Sequence, residues 1–221
     1  MQTKPKLLAI DLDGTLIDTA PDLAYCLGHA LESLGIAAPD TTQAREWIGD
    51  GIEVLVERGL TAMAPDRVDA ETRSAALTAF TRCYEQNLFV RSRLYPEVLE
   101  TLDDVRQQGC ALVCITNKRL AFSEEILRLA GIRDRFELVF GGDSCSEKKP
   151  APAQLIAAAE ALRMPVSQCV LVGDSYHDYH AARAAAFEFI WAAYGYCDSI
   201  DAAETLIYID RFSDLAARIN A

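Results

Sequence analysis

The spacing of apolar residues changes period twice along the chain, and those changes divide it. The sequence opens on an unbroken apolar run, Leu7-Leu8-Ala9-Ile10, which has the length and continuity of a strand buried on both faces of a parallel sheet. The period then becomes helical. Thr19-Ala20-Pro21-Asp22 has the form of a helix start, with Thr at the cap, Pro in the first turn and an acid three residues on. Leu23, Leu27, Ala30, Leu31 and Leu34 recur on one face, and Gly35 marks the end. A second helix opens near residues 40–42, breaks at Gly49-Asp50-Gly51 and resumes through residues 52–60. Residues 66–88 are helical again, with Ala76, Leu77, Phe80 and Tyr84 on one face. No convincing strand pattern occurs between Thr19 and Val90.

At Leu94-Tyr95-Pro96 the pattern becomes an alternation of helices with short apolar strands. Strands are expected at residues 111–116, 138–140, 169–172, 189–192 and 206–209. Helices are expected at 96–108, 123–130, 151–163 and 178–186, with a last one from Ser213. Such alternation predicts a doubly wound parallel α/β sheet covered by helices on both faces. The expected organisation is an α/β core made of residues 1–16 and 94–221, with an all-helical insert at 17–93. No internal repeat or low-complexity segment is present.

Charge narrows the class of partner. A formal net charge of -12 over 221 residues argues against non-specific binding of nucleic acid, a polyanion. A phosphate-binding cavity in such a chain has to be made locally positive, by a metal or by a few placed lysines. The seven cysteines are scattered, form no C-x-x-C pair and sit mostly in apolar stretches, as expected for buried free thiols in a reducing compartment. The start of the chain does not read as a signal peptide, and no apolar run approaches the length of a membrane span. A cytoplasmic location without membrane attachment is expected.

Chemistry-bearing residues cluster where the expected strands end, the ligand-binding edge of open α/β sheets. The first strand runs into Asp11-Leu12-Asp13-Gly14-Thr15. Two carboxylates two residues apart suit metal-assisted attack on phosphorus, provided the chain loops out at Gly14. The strand at 111–115 ends in Thr116-Asn117-Lys118, which offers a hydroxyl and an amide beside an anion. Glu147-Lys148-Lys149-Pro150-Ala151-Pro152 places Lys149 just before a helix. Val172-Gly173-Asp174-Ser175-Tyr176-His177-Asp178 ends a buried strand with two acids, of which Ser175 alone would satisfy the helix cap. A hard cation is the natural reason for both acids. His177 and His180, three residues apart, form a poor histidine pair for a metal and are read as surface or supporting residues, and His29 as a helix-face residue.

In order and spacing these stretches resemble the haloacid dehalogenase superfamily of phosphohydrolases, and within it the phosphoglycolate phosphatase-like members. The likeness spans D-L-D-G-T-L-I-D-T, I-T-N-K, K-K-P-A-P and V-G-D-S-x-x-D, essentially the whole chain. It implies a Rossmann-like core with an α-helical cap inserted after the first strand. Asp11 resembles the nucleophile that forms an aspartyl-phosphate, and Asp13 the general acid and base. Thr116, Asn117 and Lys149 resemble the phosphate clamp. Mg²⁺ would be held by Asp11, the Asp13 backbone carbonyl and Asp174, with Asp178 orienting its waters or Lys149.

In the cap, Trp47-Ile48-Gly49-Asp50-Gly51 resembles the family's substrate loop, with Asp50 in place of its usual Asn. That carboxylate would repel glycolate unless it points away or pairs with Arg58, so Gly49, Asp50, Gly51 and Arg58 are the candidate specificity residues. Glu97 and Ala186 stand where the family usually has glycine. The resemblance implies hydrolysis of a small phosphorylated metabolite, with 2-phosphoglycolate the best single choice. A broad sugar-phosphate phosphatase, a phosphomutase and a non-catalytic phospholigand binder are the alternatives. A monomer or a homodimer is expected.

Overall fold

The computed structural model describes residues 6–197, 199–200 and 206–219. The expectation of no leader segment falls mainly on residues 1–5, which lie outside them. The chain divides into two compact units, one comprising Met1–Asp18 with Leu94–Ala221 and the other Thr19–Arg93.

Strand β1 (Leu7–Ile10) is buried at every position, as its unbroken apolar run requires. A two-residue strand, β2 (Ile17–Asp18), follows it. The chain then folds as helices α1 (Ala20–Glu32), α2 (Thr41–Arg45), α3 (Ile52–Met63) and α4 (Ala70–Glu85). Their apolar faces make a core of their own, in which Leu23, Leu27 and Leu31 of α1, Leu55 and Leu60 of α3, and Phe80 and Tyr84 of α4 are buried. Helix α2 carries a complete capping box between Asp40 and Gln43.

The start of α1 departs from its sequence pattern. Thr19 makes no side-chain cap bond, and Asp22 does not complete a capping box. The fully buried Asp22 carboxylate accepts the backbone N–H groups of Val90 (3.0 Å), Arg91 (2.9 Å) and Ser92 (2.8 Å), and the Ser92 hydroxyl (2.6 Å). A buried acid needs donors in this number, and here they come from the far end of the insert.

After β3 (Arg93–Leu94), helices and strands alternate: α5 (Val98–Gln107), β4 (Ala111–Ile115), α6 (Leu120–Leu129), β5 (Leu138–Phe140), α7 (Ala153–Ala161), β6 (Cys169–Gly173), α8 (Tyr176–Ala185), β7 (Glu188–Ala192), β8 (Ile207–Ile209) and α9 (Asp214–Ile219). Among the described residues the main sheet has six strands in the order β5-β4-β1-β6-β7-β8. Every pairing in it is parallel, so the expected doubly wound α/β core is the observed one. From β1 the chain builds outward through β4 and β5, then returns to the other side of β1 for β6. That reversal makes the switch point at which open α/β sheets bind ligands. The loops that follow β1, β4 and β6 therefore leave three adjacent strands.

Several helix ends differ from the sequence pattern for identifiable reasons. Helix α6 starts three residues early because the Asp143 carboxylate accepts the Leu120 N–H (2.7 Å) and caps it from outside. Helix α5 starts late because Glu97 has φ 64°, and Ala186, which ends α8, has φ 57°. Both residues that stand where the resemblance leads one to expect glycine thus sit in the left-handed region that favours glycine. All seven cysteines are free thiols, with Cys145 and Cys197 only partly buried.

Candidate active site

The site grows from the end of β1. The Asp11 N–H donates to Val172 O (2.9 Å), extending the β1–β6 pairing by one residue and fixing where the Asp11 side chain starts. Gly14 then turns the chain at φ +84°. A side chain there would also run into the Asp174 carboxylate, so the glycine supplies both the turn and the clearance. The turn sends the two acids of the motif to different partners. Asp11 meets Lys149, with Nζ 2.7 Å from its Oδ1, and Asp13 meets Lys118, with Nζ 3.0 Å from its Oδ2.

Lys149 is the centre of the arrangement. Its buried ammonium lies 2.7 Å from Asp11, 2.6 Å from Asp178 Oδ1 and 2.9 Å from the Ile115 carbonyl. The other oxygen of Asp178 accepts from the backbone N–H and hydroxyl of Ser175, and Ser175 and Asp178 together form the capping box of α8. One helix start therefore both ends the strand loop and aims a carboxylate at Lys149. Asn117 Nδ2 donates to the Lys149 carbonyl (2.9 Å), so the amide also holds the loop that carries the lysine.

Asp174 has neutral donors. The Thr15 hydroxyl (3.1 Å) and the Tyr196 N–H (2.7 Å) fix its two oxygens. A side chain at Gly14 or at Gly195 would collide with it. Oxygen atoms of Asp11, Asp174 and Asp178 all lie within 4.8 Å of one another.

Such crowding shows in the acid–base properties. Burial, then the charge of Asp178, lifts Asp174 to about 7 against the donors from Tyr196 and Thr15. Burial and Asp178 likewise raise Asp11 well above the usual carboxylate range despite Lys149. Burial pulls Lys149 down, but Asp11 and Asp178 together carry it above its ordinary value. Converging buried carboxylates that hold on to protons are a donor set suited to a hard divalent cation, which would replace those protons. The oxygen-only cluster contains no histidine among the described residues.

Thus Asp11, Lys149, Asp174, Asp178 and Ser175 come together, with Thr116 and Asn117 at the end of β4 beside them. Asp13 is turned to Lys118 instead. The remaining candidates belong to the helical unit, where Arg58 pairs with Asp50 (2.6 Å) and donates to the Trp47 carbonyl (3.0 Å). Gly49 and Gly51 there have φ 127° and 92°. Sequence reasoning gave no site role to Lys118 or Thr15, whose partners are remote in the chain. It also missed Gln154, whose amide donates to both Thr116 O (3.0 Å) and Gly141 O (2.8 Å). A lysine directly after a strand-end Thr-Asn was the available signal for Lys118.

The model of the haloacid dehalogenase-like hydrolases matches residues 8–192. The chain belongs to that family. It is 38% identical over 201 residues to a phosphoglycolate phosphatase of Nitrosococcus oceani, covering 91% of this chain and 89% of that one. It is 42% identical over 199 residues to a phosphoglycolate phosphatase of Nitrosospira multiformis, covering 90% and 88%. Among solved structures, a predicted phosphoglycolate phosphatase from Haemophilus somnus superposes with a TM-score of 0.92 at 32% identity, over 99% of both chains. The chain is therefore a hydrolase with the family's Rossmann-like core. No helix among the described residues is long and apolar enough to cross a membrane.

Proposed function

We propose that this hydrolase cleaves a small phosphomonoester, 2-phosphoglycolate, by transferring the phosphoryl group to Asp11 and then to water. The observation that carries the reading is the division of labour between the two acids of one turn. Asp11 sits against Lys149 in a crowded, buried cluster, and Asp13 stands beside a separate cation. A carboxylate nucleophile needs in-line placement and relief of charge repulsion more than activation. Lys149 supplies both by fixing one Asp11 oxygen and facing the incoming phosphate with positive charge. Asp178, through Lys149 and Ser175, holds that ammonium in place.

Asp13 is the proton carrier. It protonates the leaving alkoxide and then takes a proton from the water that attacks the phosphoryl group on Asp11. The Thr116 hydroxyl accepts the Lys118 N–H (3.2 Å), which leaves its own hydrogen to donate to a phosphate oxygen, with Asn117 beside it. Asp11, Asp174 and the Asp13 carbonyl would hold Mg²⁺, which when bound offsets the negative charge of the phosphate and the acids together. Asp178 is committed to Lys149 and Ser175, a placement that suits orientation of the site.

Three lines favour the 2-phosphoglycolate reading: the relatives named above, the family's cap-loop pattern, and the pairing of Asp50 with Arg58. That pairing offsets inside the loop the carboxylate that would otherwise repel glycolate. The helical unit Thr19–Arg93 serves in this reading as the specificity cap. Free thiols favour the cytoplasm, and the acidic net charge disfavours nucleic acid. The test is phosphate release from 2-phosphoglycolate, several sugar phosphates and an aryl phosphate, with Mg²⁺ and with chelator. The expected result is metal-dependent turnover with kcat/KM highest for 2-phosphoglycolate. Preference for a sugar phosphate would overturn the substrate assignment, and silence on every ester would overturn the catalytic one.

A further inference from the structure

The phosphoryl end of this site has its receptors, but the carboxylate end of the leaving group has none assigned. In the helical unit the arginine nearest the glycine loop is already engaged, with Arg58 bound to Asp50 and to the Trp47 carbonyl. In the α/β unit the Lys118 ammonium stands 3.0 Å from Asp13, the acid that has to meet the leaving group. We propose that Lys118 reads the substrate's carboxylate, so that the α/β unit itself selects O-phosphorylated 2-hydroxy acids over simple alkyl phosphates. The inference rests on the phosphatase reading above and adds a specificity-determining residue to it.

Distance supports the assignment. Asp13, as proton donor, has to come within about 2.6–3.2 Å of the ester oxygen. In a phosphorylated 2-hydroxy acid the carboxyl carbon lies two bonds, about 2.4 Å, from that oxygen. A cation 3.0 Å from the Asp13 carboxylate can therefore reach the substrate's carboxylate while Asp13 stays at the ester oxygen. A simple alkyl ester puts only methyl or methylene groups there. A terminal sugar phosphate puts hydroxyls there, which a buried ammonium holds less strongly than a carboxylate.

Charge balance points the same way. The Lys118 side chain is 4% exposed, and a buried ammonium needs an anion. A substrate carboxylate beside Asp13 would give that ammonium an anionic partner in the bound state.

The lysine is also held as a binding residue should be. The Gly142 N–H donates to the Lys118 carbonyl (2.7 Å), and the Lys118 N–H donates to the Thr116 hydroxyl (3.2 Å). Asp143 anchors Leu120, and Gln154 bridges Thr116 and Gly141. Gly141 and Gly142 pack so closely on this loop that a side chain at either would strike the backbone of Leu120 or Asn117. Such support fixes where the ammonium starts.

The deciding measurement is the ratio of kcat/KM for 2-phosphoglycolate to that for ethyl phosphate, in wild type, Lys118→Met and Lys118→Arg with Mg²⁺. The expected result is a ratio lowered by between about ten- and a hundred-fold in Lys118→Met, mostly through KM for the carboxylated ester, with partial recovery in Lys118→Arg. The same ratio, read as Kd by calorimetry in an Asp11→Asn background, gives the answer even where Lys118→Met no longer turns over. A ratio unchanged in Lys118→Met, with wild type still preferring 2-phosphoglycolate, overturns the role of Lys118 and leaves the substrate assignment standing. A wild-type protein without that preference overturns both.

Discussion

Two regions of this molecule bury carboxylates, and they do so in opposite ways. Asp22, in the helical unit, is surrounded by donors: three backbone N–H groups, a hydroxyl and, at 3.5 Å, the Arg91 guanidinium. Asp11, Asp174 and Asp178, in the α/β unit, crowd within 4.8 Å around Lys149, and the first two are pushed towards holding protons. Burial alone does not mark a functional acid. What separates the two cases is whether the surroundings complete the charge or leave it short, and a shortfall persists where a ligand makes it up.

This contrast predicts a double dissociation. Asp11→Asn should lower kcat by at least about a thousand-fold while the denaturation midpoint holds or rises, because one of three crowded carboxylates is gone. Normal turnover in that variant would remove Asp11 from the role of nucleophile. Asp22→Ala should do the reverse. It strands the N–H groups of Val90, Arg91 and Ser92 and should cost about 3 kcal/mol in urea unfolding, with kcat of the folded fraction staying within a few-fold. A loss of activity without loss of stability there would break the comparison.

The smallest effect is the most specific. Asp174 keeps its proton up to about pH 7 in the folded, metal-free protein but only to about pH 4 when unfolded. Its contribution to stability is therefore fully present below about pH 4 and is lost as pH rises through 7. With chelator present, Asp174→Asn should gain on wild type in thermal midpoint between pH 5 and pH 8, and Mg²⁺ should narrow that gap by stabilising wild type alone. A gap that does not change with pH would mean that Asp174 is not crowded in the way described.

The sequence carried the sheet well, because a strand buried on both faces has to be apolar throughout and Leu7–Ile10, Ala111–Ile115 and Cys169–Gly173 are so. It also showed which loops carry acids and lysines, since those loops follow strand ends. Partner choice was hidden. Thr19 and Asp22 have the letters of a capping box, yet Asp22 is claimed by backbone at residues 90–92. Lys118 appeared only as the letter after Thr-Asn, because its partner Asp13 lies on another strand's loop. Asn117 looked like a donor for an anion and proves also to brace the Lys149 loop. Contacts between residues distant in the chain leave no periodic trace, and these are the contacts that set charge balance.

The Asp22 carboxylate has one more consequence, for how this architecture diversifies. By gripping residues 90–92 from the start of α1, it ties the two ends of the helical excursion together with the excursion's own atoms. A segment that closes its own neck can be exchanged, lengthened or rebuilt while its host sees the same two attachment points. The acid cluster at the sheet edge then need not be rebuilt each time the helical segment changes. One buried acid outside that cluster thereby makes the helical segment a transplantable module, and the α/β unit a chassis that can accept another.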